Sequence, residues 1–412
     1  MKKKCKQIDI ADPNTIIPWV EDCIRRHKTR YDFRNLLLAH GVTKQVYYEA
    51  LQSCEYSVFN DAIRLIAEEA AQHIKEHHLD LPPVHIRIME DTTTGKIRQI
   101  GKESAMQQIY DHIAVGSCEE IFRCRMVDQQ MSSIKGRGQI KGVKAIQAFV
   151  KKDNDAMRYA EKHGLRYVSK CAYHVKLDIE KCYPSADIDI FMRLFEHDCG
   201  NQDIIWLWRT LLESHHVDGY TGFMIGALPS QWACQVMLSY IYRKAMELYQ
   251  TRRGRKIKDV TFMIMFMDDM ALFGSNRKRL LHAVRELTEY ARDYLGFTIK
   301  SNFAIKRFDL EALDMMGFVI HRNGFTEMRE RNFIHSRRLI DRFAATGRLV
   351  LSQAKRLVSY KGFYKYSDCV KIRNKAYRVF NKCAALISAK EAGNAHNRVH
   401  GRTRSDARFL TA

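Results

Sequence analysis

The sequence predicts an α+β fold, an antiparallel sheet with helices on one face and helical units flanking it. Three observations lead there. Strand-length apolar runs between residues 171 and 328 alternate with helical segments, yet close on one another through short polar turns, as hairpins do. Residues 14–80, and again 329–388, keep the apolar spacing of helices. With 412 residues, 46% of them hydrophobic, the chain has material for two or three packed units.

In order, residues 1–82 read as a helical extension. In "SVFNDAIRLIAEEAAQHIKEHH", Ile63, Ile66, Ala67, Ala70 and Ile74 fall on one helical face. "LDLPPV" breaks the pattern, and "HIRIMEDTTTGKIRQI" predicts two strands around a polar turn. A helix, "ESAMQQIYDHIAVGSCEEIF", and a loop, "MSSIKGRGQIKG", complete a second segment, 83–170. Residues 171–328 begin with "AYHVKLDIEKCY", a buried strand running into a loop. "DIDIFMRLFEHD" and "QDIIWLWRTLLESH" follow as helices, then the Gly-rich loop "YTGFMIGALPS" and the long helix "QWACQVMLSYIYRKAMELY". Two short strands lie in "KDVTFMIMFMDDMALFG". The next helix carries Leu281, Val284, Leu287, Tyr290 and Ala291 at helical spacing, and strands return in "DMMGFVIHRNGFTEM". A basic helical stretch spans 329–388, and 389–412 is expected to be a basic, aperiodic, mobile tail.

A net charge of +21 suits a polyanionic partner, nucleic acid first and an anionic membrane surface second. Eleven cysteines, an odd number without a CxxC pair or zinc-type Cys/His spacing, point to a reducing compartment, hence the cytoplasm. No apolar run approaches the ~20 residues of a membrane span, and "MKKKCK" has no apolar segment behind it.

The run "TFMIMFMDDMALFG" (261–274) sets Asp268 and Asp269 side by side among apolar residues. One bare buried carboxylate costs several kcal/mol, and two also repel. Either a sharp turn lifts both into water or a cation holds them. The tip lacks the Asn-Gly or Asp-Gly that hairpins favour. A second acidic signal, "VKLDIEKCYPSADID", places Asp178 at the end of an apolar strand. Were that strand to lie beside the Asp268–Asp269 hairpin, three carboxylates would meet at one sheet edge and call for divalent cations.

The segments "VKLDIEKCYPS", "GFMIGALPSQ", "FMDD", "LGFTIK" and "DMMGFVI", in that order, resemble motifs A to E of reverse transcriptases, with "GKIRQI" and "IKGRG" as two fingers motifs. The resemblance covers roughly residues 85–330. It implies a right-hand polymerase with fingers (83–170), a palm built on the antiparallel sheet (171–328), a helical thumb (329–388) and an N-terminal helical extension. It also implies two Mg²⁺ ions, or Mn²⁺, held by Asp178, Asp268, Asp269 and the Ile179 carbonyl, which serve in-line phosphoryl transfer. Tyr183 falls where the family keeps an aromatic ring against the sugar, which favours deoxynucleotides. Phe266 and Met267 stand at the first two positions of a motif usually written Tyr-x-Asp-Asp, beside the primer end. Lys300, with Lys306 as its rival, falls where a cation or proton donor meets the leaving pyrophosphate. Gly317 would let a primer-gripping hairpin approach closely.

In place of Gln-Gly-x-x-x-Ser-Pro the chain has Ile225-Gly226-x-x-x-Ser230-Gln231. That pattern resembles the enzymes of bacterial diversity-generating retroelements and some unclassified, defence-associated bacterial reverse transcriptases. An apolar Ile225 cannot hydrogen-bond the nascent pair as Gln does. On the presumed fingers, Lys96, Arg98, Lys135 and Arg137 suit a triphosphate, the arginines by bidentate grip. In 337–382, Lys/Arg including Lys355 and Arg356 interleave with aromatics, which suits a thumb tracking duplex backbone. Tyr360, Phe363 and Tyr364 read as the core of that bundle rather than as base-stacking groups. The implied partners are an RNA template, a DNA or RNA primer and dNTPs, with a dedicated non-coding RNA or a small basic accessory protein as further candidates, and no membrane. No RNase H or endonuclease domain is expected. A catalytically inactive RNA-binding scaffold is the reading from another class, opposed by the presence of all three carboxylates.

Overall fold

The computed structural model describes residues 2–90, 95, 97–215, 222–368, 370–399 and 409–411. The chain opens with α1 (Pro13–His27), α2 (Tyr31–Ala39), α3 (Lys44–Ser53) and α4 (Asn60–Lys75), then β1 (His85–Glu90) and β2 (Ile97–Lys102). Next come α5 (Ala105–Gly116), α6 (Glu119–Arg125), α7 (Gln139–Lys162), β3 (Tyr173–Leu177), α8 (Ile188–Asp198), α9 (Gln202–Glu213) and α10 (Leu228–Glu247). The hairpins β4 (Tyr249–Arg252) with β5 (Arg255–Lys258) and β6 (Phe262–Phe266) with β7 (Asp269–Gly274) precede α11 (Arg277–Leu295). Short strands β8 (Lys306–Arg307), β9 (Leu313–Met315), β10 (Phe318–Ile320) and β11 (Thr326–Met328) lead to α12 (Glu330–Thr346), β12 (Arg348–Val350), α13 (Leu351–Ser359), α14 (Lys361–Tyr366), α15 (Val370–Val399) and β13 (Phe409–Thr411).

Local chemistry sets many of these ends. Asp12, Ser104, Asp187 and Asn201 cap α1, α5, α8 and α9 with side-chain oxygens that accept first-turn backbone N–H groups. Gly347, with φ 64°, ends α12 in the left-handed conformation that only glycine adopts without cost. Among the described residues no helix is long and apolar enough to cross a membrane.

The chain forms two compact units. The first comprises 1–128, 178–244 and 285–301. Its core joins Ile16, Val20 and Ile24 of α1 to Ile63, Ile66 and Ala70 of α4 and to Ile109 and Ile113 of α5, all buried. Trp208 of α9 sits among Phe191, Phe195 and Phe122 and donates its indole N–H to the Ala114 carbonyl at 3.0 Å. β1 and β2 pair antiparallel, from His85 opposite Lys102 to Glu90 opposite Ile97.

The second unit comprises 129–177, 245–284 and 302–412. Its four-stranded sheet runs β6-β7-β3-β8, antiparallel throughout. Val143, Ile146 and Val150 of α7 cover one side, in a core with Ile264, Ala271, Phe273, Phe308 and the β9–β10 residues. Asp153 of α7 fastens the lead-in to β3. This buried carboxylate accepts from the Tyr167 hydroxyl, the Ser169 hydroxyl and the Lys170 N–H, each at 2.7 Å, and pairs with Arg322 at 2.6 Å. Helices α12–α15 build a separate core in which Tyr360 and Tyr364 are buried beside Ile340, Phe343, Leu357 and Phe380.

Three local expectations change. The β4–β5 hairpin stands where no element was assigned, turning at Arg253 and Gly254, both with positive φ. The segment 389–412, expected to be aperiodic, is helical to Val399, and its residues 409–411 pair with β12. Finally, Lys306–Arg307, a stretch where no element was expected, forms β8 and pairs with β3.

Candidate active site

The hairpin lies in the second unit. Phe266 and Asp269 are its closing pair, so Met267 and Asp268 form a two-residue turn. Met267 has φ 54° and Asp268 does not share the positive sign, the pattern of a type II′ turn that favours glycine at its first central position. A side chain there costs roughly 1–2 kcal/mol, and such strain gathers at functional sites. Asp268 and Asp269 are both half-buried, and the Lys176 ammonium lies 3.2 Å from Asp269. The segment 129–131 runs along the open edge of β6: Met265 N–H donates to the Gln129 carbonyl and Met131 N–H to the Met265 carbonyl, both at 2.9 Å. Arg137 steadies that segment, donating to the Gln130 carbonyl at 3.1 Å.

Asp178 lies in the first unit. It is the residue after Leu177, whose register partner is Met270, the neighbour of Asp269. Its backbone carbonyl accepts from Lys300 N–H at 2.9 Å, and Ile179, buried, bridges Ile299. The Lys300 ammonium donates to Asp178 Oδ2 at 2.9 Å. Asp178 Oδ1 is shielded from solvent and has no hydrogen-bond partner. A carboxylate with one oxygen on a cation and the other unsatisfied suits a hard divalent cation, so the residues present fit the implied Mg²⁺.

The Gly-rich loop also belongs to the first unit. Phe223 N–H donates to the Tyr183 carbonyl at 2.8 Å, and Tyr183 is half-buried. Gly101 of β2 donates its N–H to the Ile225 carbonyl at 2.8 Å. Contact is tight enough that a Cβ on Gly101 would meet Met224 Cγ at 2.4 Å, and one on Gly226 (φ 114°) would meet the Gly101 carbonyl at 2.8 Å. Ser230, buried, accepts from Met224 N–H at 3.1 Å, and Gln231 N–H closes the first turn of α10 on Ala227.

The remaining expected residues lie on other elements. Arg98 is exposed on β2 opposite Met89, and Lys96 lies outside the described residues. Lys300 sits on Asp178, where the sequence had suggested the leaving pyrophosphate, and its rival Lys306 pairs with Glu311. The bare Cα of Gly317 (φ 80°) faces protein: a Cβ would meet Phe363 at 2.5 Å and Asn332 at 2.9 Å. Lys355 is exposed on α13, and Arg356 reaches His335 Nδ1 at 3.4 Å. Sequence reasoning missed Lys176, although "VKLD" sets it two residues before Asp178, on the same side of an extended strand.

The chain matches the model of the reverse transcriptase (RNA-dependent DNA polymerase) family over residues 75–302, more than half its length, and it belongs to that family. Its fold is accordingly the α+β right-hand polymerase fold. None of the curated proteins matches it. Among solved structures, it is similar to the telomerase of Candida tropicalis in complex with a TWJ fragment of telomeric RNA, at 11% identity over 87% of this chain and 66% of that chain, TM-score 0.46. It is also similar to the apo telomerase of Candida tropicalis (11% identity, 94% and 82% of the two chains, TM-score 0.47) and to the RNA-bound telomerase of Candida albicans (11%, 74% and 60%, TM-score 0.40). The chain thus spans no more than two thirds of either RNA-bound telomerase.

Proposed function

We propose that the chain is an RNA-directed DNA polymerase that adds deoxynucleotides to a primer 3′-hydroxyl on an RNA template. The observation that carries this reading is the strained acidic turn at Met267–Asp268, on the hairpin paired with the strand that ends one residue before Asp178. Mg²⁺, or Mn²⁺ in its place, would be held by Asp178, Asp268, Asp269 and the Ile179 carbonyl and would supply charge neutralisation for in-line phosphoryl transfer. Lys300 and Lys176 bring positive charge to Asp178 and Asp269. Tyr183 crowds the 2′ position of an incoming sugar. Arg98 and Arg137, with Lys96, bind the triphosphate, and Lys355 and Arg356 follow the template–primer backbone. Extension of oligo(dT) on poly(rA) with dTTP and Mg²⁺ tests the reading. The wild type extends the primer and the Asp268→Ala/Asp269→Ala double variant does not; extension by the double variant removes the carboxylates from the chemistry. An inert RNA-binding scaffold would show no thermal shift with Mg²⁺ and dNTP.

Within that activity, the Ile225-Gly226-x-x-x-Ser230-Gln231 loop supports a bacterial retroelement of the diversity-generating type, working with a template RNA and a small basic accessory protein. The same loop occurs in the resemblance to defence-associated enzymes, which would copy a dedicated non-coding RNA. Sequencing the cDNA made in cells separates them: errors confined to template adenines support diversification, and an even spectrum from one structured RNA supports defence.

A further inference from the structure

We propose that Cys23, His27 and His112 form a binding site for a divalent transition-metal ion of the zinc class, separate from the carboxylates of the polymerase reading. The thiol sulfur and one nitrogen from each imidazole all lie within 4.8 Å of one another. Cys23 and His27 stand four residues apart on α1 and so share a face. His112 comes from α5, against which α1 packs. Cys23 Sγ is 3.8 Å from His27 Nδ1; that nitrogen now donates to the Cys23 carbonyl at 3.1 Å and the thiol to the Gln108 carbonyl at 3.5 Å, bonds that a metal held by these atoms would replace. A tetrahedral centre with metal–sulfur and metal–nitrogen bonds of about 2.3 and 2.0–2.1 Å asks for about 3.6 Å between sulfur and nitrogen, so donor atoms that now lie up to 4.8 Å apart turn inward on binding. One sulfur and two imidazoles are a donor set for zinc-like ions rather than for Mg²⁺.

The surroundings suit the ligands. Burial, with the charge of Arg30, holds the His27 imidazole below its ordinary range, and burial brings His112 down to about 4 against the pull of Asp22. Both rings are therefore neutral near pH 7, each with a lone pair to donate. Burial and the Asp111 carboxylate push the Cys23 thiol far up, so a metal has to displace its proton on binding. Asp22 Oδ2 lies 3.5 Å from His112 Nδ1, where an acidic group orients a ligating imidazole. Three protein ligands leave the fourth position to water. The ion would fasten α1, which lies outside the residues matched by the family, to α5, which lies within them. No spacing announced the site, because the third ligand is 85 residues from the second.

The full chain, stripped with a chelator and refilled with Co²⁺ in excess Mg²⁺, provides the test. Co²⁺ bound by a thiolate in a tetrahedral field gives visible d–d bands and a near-ultraviolet sulfur-to-cobalt charge-transfer band. The bands should saturate at about one Co²⁺ per chain. Zn²⁺ should bleach them and raise the melting temperature of the stripped protein. Cys23→Ser and His112→Gln should abolish the bands and the shift, while their stripped forms keep the circular dichroism of the wild type. Should Cys23→Ser not fold, His27→Gln and His112→Gln decide by the same bands. No charge-transfer band in the folded wild type, or one that survives these substitutions, overturns the proposal.

Discussion

Replacing Asp153 by alanine should destabilise the second unit more than any other single change in its polar interior. The Asp153 side chain is 1% exposed and that of Arg322 17%, so the pair is shielded from water. Five groups spend donors on the carboxylate: Tyr167, Ser169, Lys170 N–H, the Cys171 thiol at 3.2 Å and Arg322. Removing one partner of a buried, hydrogen-bonded pair costs about 3–5 kcal/mol, because the other charge stays behind unpaired. Urea denaturation of wild type, Asp153→Ala, Arg322→Ala and the double variant forms a cycle, and the coupling should be at least about 1 kcal/mol. The pH dependence has a definite sign. Burial pushes the Asp153 carboxyl up, but the hydrogen bonds from Lys170, Ser169, Tyr167 and Cys171 outweigh it and hold it below the usual range. Its stabilisation is therefore complete above the unfolded value near 3.9 and is lost as pH falls below it, through the lower folded value. A loss under about 1 kcal/mol for Asp153→Ala, or strictly additive single variants, would refute the reasoning.

Lys300→Met should lower the Mg²⁺ concentration for half-maximal primer extension, since the ammonium and a metal compete for Asp178; an unchanged Mg²⁺ requirement with a fallen rate would instead assign Lys300 to the leaving pyrophosphate. Gly101→Ala drives a methyl into Met224, and such overpacking costs about 1–3 kcal/mol, read as a lower melting temperature together with a raised KM for dNTP. Lys355→Ala should flatten the logarithmic salt dependence of RNA–DNA binding by about one counterion, measured by fluorescence anisotropy across salt concentrations.

What the sequence disclosed was whatever depends on neighbours in the chain. The β6–β7 hairpin was legible because its apolar runs and its two carboxylates lie within 14 residues. The helices of 14–80 and 329–388 were legible through their apolar period, and Tyr360 and Tyr364, read as the core of the second, are buried there. The β4–β5 hairpin was missed because "TRRGRK" reads as a solvated charge run; the Arg253–Gly254 turn was its one signal. The Lys300–Asp178 pair was hidden for a different reason. Its motif fixes a position along the chain, whereas its partner is chosen by the bridge from Ile299 to Ile179, which turns the ammonium onto Asp178. At Gly317 the sequence signalled a bare Cα but not the neighbour pressed against it: a Cβ there would meet Phe363.

The 169 residues between Asp153 and Arg322 also bear on how the protein is made. At about 5–20 residues per second, a ribosome needs roughly 8–34 s to deliver the arginine after the aspartate has been synthesised. Through that interval α7 can form, but the charge that completes its anchor does not yet exist. The anchor is therefore completed only once translation has passed β10, after all four strands of the central sheet have been made.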